Sequence, residues 1–421
     1  MKKDCLPPKK AVLKVATEFV SLTGVGRSQP ILGLPKQVQN EMDDRFFASF
    51  AAFIRRTQFT RRFPSVNSDL MLLVHTSHPL RHAAIAIGAL NASREGAISV
   101  LRGRDSPSII AFTYYRKAIL SLKSILAEKD VAQREDVLWS TFLLGLFELL
   151  AESSGEGWAQ HMFYGTSRIL QLSGPAQHMS SLRQVLFEAF RILEANRAIL
   201  YGVDTMLSED AWVDFQRDLT SSREESWCPI ETISSLIIQT SSFNKCFLDV
   251  AENIFRQQHL ADASIRALGE RGFKIQNLVH QWHDEALARM YSSDDTDIHF
   301  QLSLTYYHAL LLFLSRNFTY YSYWDRMTAP LLSQYDIDSH IAAIIALAEQ
   351  ILDASVIPGV MLLFPLRLAG SHTKNSDQRR RIWKILDQVH WKGFIVSDRI
   401  KTDLQELWQY QGLEMWNLGP V

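Results

Sequence analysis

The sequence predicts an all-α protein: a single large multi-helix domain, residues 41–421, behind a short extended N-terminal arm, residues 1–40. Three observations predict it. From Glu41 onward, apolar residues recur at helical spacing almost everywhere. No strand-length alternating run flanked by hairpin turn signals stands out. The arm interleaves Pro7, Pro8, Pro30 and Pro35 with Gly24, Gly26 and Gly33, which leaves room for at most one short helix, Ala11 to Leu22. The chain has 421 residues, 47% of them hydrophobic, enough to bury a full core without disulfide or metal staples.

The elements follow in order. Phe46, Phe47, Phe50, Phe53 and Ile54 form one apolar helix face, followed by Arg55, Arg56, Arg61 and Arg62. Pro79 after His78 marks a helix start, because the first turn accepts a residue without an N–H. That helix runs through Ala83, Ile87 and Leu90 and ends near Ser93 and Gly96. Ser108 to Ala127 is another, with Phe112, Tyr115, Ile119, Leu122 and Leu126 on one face. Val137 to Leu150 is apolar almost all round, the pattern of a central, fully buried helix. Gly155 and Gly157 then break the chain, and Trp158 to Leu172 reads as one helix stopped by Gly174-Pro175. Further helical patterns cover 180–201, 229–258, 262–291, 298–326, 336–354, 376–389 and 396–412. No repeat of fixed period supports a solenoid.

Charge and cysteine usage narrow the function. The 44 Lys and Arg balance 45 Asp and Glu, so the net charge of −1 supplies no global field for nucleic acid or an anionic membrane. Cys5, Cys228 and Cys246 contain no C-x-x-C pair and build neither a thiolate zinc site nor a disulfide framework. They read as free thiols of a reducing compartment. The N-terminal lysines have no apolar segment behind them, so no secretory signal is expected. The longest apolar stretch, Trp139 to Ala151, contains Glu148 and falls well short of the roughly 20 residues a bilayer requires. The reading is a soluble intracellular protein, with Lys9-Lys10 beside two prolines as a minimal nuclear-import patch.

Several clusters bear on chemistry. His75, His78 and His82 are separated by Pro79 and read as structural. His280, His283 and Asp284 share a helical face and offer metal-ligand chemistry, but without a second ligand helix. Asp294, Asp295 and Asp297 precede a helix and read as capping residues ahead of the other use of such a cluster, holding Mg²⁺ on a diphosphate. Glu148 and Glu152 stand at i, i+4, with Glu148 inside the most apolar run. Such a carboxylate needs a partner or a ligand. Lys245, Asp249 and Asn253 stand at i, i+4, i+8, flanked by Phe243, Phe247, Val250 and Ile254. Together these five polar residues are the candidate ligand-binding set, a polar rail on an aromatic-lined pocket. No P-loop, nucleophile-elbow, Rossmann or H-E-x-x-H motif occurs, so no catalytic or resident metal site is expected.

The helical segments taken together resemble the fungal-specific transcription factor domain, the regulatory half of fungal zinc-cluster regulators. Glu41 to Thr57 is similar to its opening helix, and His78 to Leu90 to its most recognisable segment. Tyr114 to Ile119 and Leu143 to Glu148 match its next two helices. His161 to Leu170, with Gly165 and Ile169-Leu170, resembles the one after. Phe364-Pro365-Leu366, Ala369-Gly370 and Arg379 to Trp383 fit its closing helices. The resemblance covers roughly residues 41–390. The sequence departs from full-length members, which carry six cysteines in an N-terminal zinc cluster. Cys5 alone precedes residue 200, so the family's DNA-reading residues have no positions here.

The resemblance implies a nuclear, pathway-specific regulator of a secondary-metabolite gene cluster, trichothecene-like mycotoxin synthesis being one such pathway. It would work without a cofactor, through its helical domain and a DNA-binding partner or the transcriptional machinery, or through a small-molecule ligand. Neither membrane attachment nor autonomous sequence-specific DNA binding is expected. The alternative is an unconventional humulene-type terpene cyclase, related in fold and dependent on Mg²⁺. It would use the same five polar residues on an allylic diphosphate, with Tyr306, Tyr307, Phe313 and Phe318 facing cationic intermediates. A third reading is an inert scaffold.

Overall fold

A computed structural model describes residues 36–95, 106–128, 130–175, 179–221, 227–257, 262–290, 297–354 and 356–412. The chain separates into two compact units, Met1–Met42 and Asp43–Val421. Of the first, the described residues are 36–42, which are helical. The expected helix Ala11 to Leu22 and the Lys9-Lys10 patch lie outside the described residues.

Among the described residues there is no strand, so the chain is all-α. Helix α1, Lys36–Arg56, is followed by a 3₁₀ turn around Pro64 and by α2, Asn67–Thr76. Helix α3, His78–Glu95, starts where Pro79 predicts. Gly88 explains its small-residue character: a methyl there would overlap the Phe46 carbonyl oxygen, so α1 crosses α3 in backbone contact. Helix α4, Pro107–Ile125, is capped by Ser106. Helix α5, Glu135–Ala151, is buried from Val137 through Phe147, as its uniformly apolar sequence requires. It packs against α3 and α4.

The stretch read as one helix from Trp158 to Leu172 differs in the structure. It divides into α6, Glu156–Gln160, a π-helical turn, His161–Thr166, and α7, Ser167–Ser173. Helix α8, Ser181–Tyr201, begins at a Ser180 cap and ends at Gly202 in the left-handed region. It is buried on nearly every side and takes its charges with it. Glu194 and Arg197 pair at 2.7 Å, and Glu188 meets Arg62 of the α1–α2 connection at 2.9 Å. Each buried carboxylate is thereby matched, which offsets desolvation. Helix α9, Asp210–Ser221, was not anticipated from the sequence; Trp212 and Phe215 anchor it on Phe187 of α8.

The remaining helices are α10, Pro229–Gln257, α11, Asp262–Met290, α12, Ile298–Tyr320, and α13, Gln334–Ala354. They are followed by α14, Leu363–His372, α15, Ser376–Trp391, and α16, Ser397–Tyr410. Helix α12 is the second buried axis, packed by α10, α11, α13 and α14. At its middle, Tyr306 accepts from Asn196 of α8 at 2.9 Å and donates to the Met361 carbonyl at 2.6 Å. One phenol thus ties three parts of the domain together. Helix α14 is among the closing helices that the family resemblance implied, although periodicity alone did not mark it: Pro365 reads as a stop, whereas here it sits in the first turn and is tolerated.

Candidate functional site

The densest polar constellation on the sequence-predicted residues lies at the C-terminal end of α5. Tyr115 projects from α4, Glu148 from the last turns of α5, and His161 opens the π turn. The wider π turn closes the gap, placing His161 Nδ1 2.7 Å from Glu148 Oε1. The same oxygen accepts from the Tyr115 hydroxyl. Tyr115 also stacks on Phe147, with ring centroids 4.6 Å apart. Burial and the Glu148 carboxylate raise the Tyr115 phenol well above its ordinary range, so it stays protonated and serves as a donor.

The second carboxylate oxygen is different. Glu148 Oε2 is buried without a hydrogen-bond partner among the described residues. Gly157 covers it: a Cβ there would lie 2.6 Å from Glu148 Oε2 and 2.8 Å from Glu152 Oε2. The glycine therefore lets the chain pass over both carboxylates, which the i, i+4 spacing brings to one face as expected. Glu152 ends α5 with its side chain exposed, and its other oxygen accepts from Ser154. Chemically, the cluster is an oriented imidazole–carboxylate pair. With Nδ1 donating to Glu148, the His161 Nε2 is left as an acceptor, and its ring is 26% exposed.

The other half of the expected rail is placed elsewhere. Lys245 lies on the surface of α10 and pairs with Asp204, while Asp249 and Asn253 are exposed. The buried stripe of α10 is Phe243, Phe247 and Ala251. Lys245, two positions on from Phe243, is rotated roughly 200° from it and faces solvent rather than a cavity. The aromatic candidates also diverge. Tyr306 and Phe318 are buried in packed core, and Phe313 packs on Phe364 at 6.0 Å. Tyr307 instead sits among histidines.

The histidine clusters resolve in different ways. His75 packs on Phe47 at 4.5 Å, whereas the His78 and His82 rings are 6.5 Å apart. Asp297 caps α12 by accepting from the His299 amide at 3.0 Å and pairs with Arg61; Asp294 and Asp295 lie outside the described residues. His280 and His283 gather around Tyr307 with His308 and His340, two histidines the sequence reading did not single out. Among the described residues, no group of three or more His, Cys, Asp or Glu side chains is placed to hold a metal ion.

The fungal-specific transcription factor domain matches residues 63–414, most of the helical domain and all of the Tyr115–Glu148–His161 cluster. The chain belongs to that family. A relative in Emericella nidulans, described only as the uncharacterized protein AN5342, is 25% identical over 108 residues, 26% of this chain and 23% of its own length. The match thus spans under a quarter of that relative. No solved structure matches. Among the described residues, no helix is long and apolar enough to cross a membrane.

Proposed function

We propose that the protein is a pathway-specific transcription regulator of a fungal secondary-metabolite gene cluster, trichothecene-like in type, that acts in the nucleus. The observation that carries the reading is the family match over residues 63–414, which coincides with the helical unit. Balanced charge assigns DNA contact to a partner protein, and the helical domain then works by binding that partner or by shifting its conformation when a ligand binds. Glu152 and His161, the latter held in place by the largely buried Glu148, are the ligand contacts of this reading, suited to a hydroxyl or ammonium group. Lys245, Asp249 and Asn253 fall outside it because they face solvent. No observation favours the terpene cyclase, whose proposed cation and acidic residues do not converge on one cavity.

The test is a deletion strain. Transcripts of the biosynthetic genes neighbouring the locus are expected to fall together relative to the parent. Persisting transcripts with loss of a single pathway product would assign the chain to catalysis instead.

A further inference from the structure

The junction of α11, α12 and α13 holds a ring cluster that the regulatory reading does not use. Tyr307 is its centre. His283 stacks on it at 4.2 Å with 17° between planes, and His280 Nδ1 lies 3.1 Å from its hydroxyl. On the other side, His308 of α12 and His340 of α13 meet Nδ1 to Nδ1 at 2.9 Å. Three helices are therefore joined through four imidazoles.

We propose that this cluster is an acid-sensitive latch, closed while His308 and His340 are neutral and released when the pair takes up a further proton. The His308–His340 contact has room for one proton between the two nitrogens. In that state one ring donates and the other accepts. Loading both Nδ1 atoms sets two N–H groups head to head and parts α13 from α12. The surroundings offer little compensation. Asp284 lies 3.5 Å from His283 Nδ1 but is exposed, and Asp336 near His340 is occupied with the Ser333 amide and hydroxyl. From α10, Thr232 accepts from Trp282 beside the cluster, and α14 presents Phe364 to α12. Helix α15 meets α13 through the Arg381–Glu349 pair, further along the helix.

The titration agrees in direction. Burial first, then His340 and His283, hold His308 down to about 3, and burial lowers His340 and His280 as well. A histidine whose folded value is depressed keeps its full stabilisation above the unfolded value of about 6.5 and loses it as pH falls toward the folded value.

Because His82, His372 and, in the first turn of α12, His299 are also lowered, the test must be local to the stretch where α12 and α13 meet at His308 and His340. Hydrogen exchange of the full chain, corrected for intrinsic rates, is compared at about pH 7.5 and about pH 5.5. Amides of α12 and α13 around His308 and His340 should lose protection by up to about tenfold per pH unit for each proton taken up, while α5 and the first turn of α12 hold. The double variant His308→Asn, His340→Asn keeps a neutral donor and acceptor and should remove most of the loss, leaving at most the share of His280. Loss that is absent, or no larger than in α5, overturns the latch, as does loss that is undiminished in the folded double variant. Should that variant not fold, the wild-type localisation decides alone.

Discussion

Gly88 and Gly157 both fill places where a side chain would collide, but with different neighbours. At Gly88 the obstacle is the Phe46 backbone carbonyl, which cannot move unless α1 and α3 separate. At Gly157 it is the ends of the Glu148 and Glu152 side chains, and the exposed Glu152 can swing at the cost of its Ser154 contact. Gly88→Ala should therefore cost about 3 kcal/mol, the upper range for overpacking, and Gly157→Ala about 1 kcal/mol. Denaturant midpoints of the two variants check the order, and the reverse order would refute the crossing geometry. Tyr115→Phe removes a donor from a largely buried carboxylate and should cost about 1.5 kcal/mol, the lower range for a hydrogen bond to a charged group. A cost near zero would show that His161 alone satisfies Glu148.

At the scale of elements, α12 depends on its start. Asp297 both caps the helix and pairs with Arg61, whose side chain is half exposed. Asp297→Ala should lower stability by about 1–2 kcal/mol, whereas Asp297→Asn keeps the cap and should lose less than about 1 kcal/mol. Thermal melts at matched pH distinguish the two, and equal losses would mean the ion pair dominates. The elements also show what is legible in sequence. Helix α5 is plain because every face is apolar, and α3 because Pro79 marks its start. The π turn is not, because its extra residue leaves the apolar pattern continuous from Trp158 to Leu172. Pro365 interrupts the periodicity of α14, which only the resemblance pointed to, and α9 has only Trp212, Phe215 and a few neighbours to carry its pattern.

For the whole molecule, spacing within one helix is readable and the meeting of different helices is not. The i, i+4 rule joined Glu148 to Glu152 correctly, because both lie on the same segment. It could not reveal that Tyr115 and His161 converge on Glu148, or that His308 and His340 complete the cluster begun by His280 and His283. The rail on α10 shows the converse error. Helical spacing aligned Lys245, Asp249 and Asn253 with one another, but the buried phenylalanines beside them belong to the opposite face. Fold class follows from periodicity, which is local, whereas a site depends on which faces are covered.

The central claim, that the chain regulates transcription rather than performing a pathway reaction, is one of order in time. The most direct measurement is rapid, inducible degradation of the protein in its host, with transcripts of the neighbouring biosynthetic genes and the pathway product followed together. A regulator predicts that the transcripts fall first and the product follows as the enzymes are diluted. A fall in product while the transcripts hold steady would contradict the account.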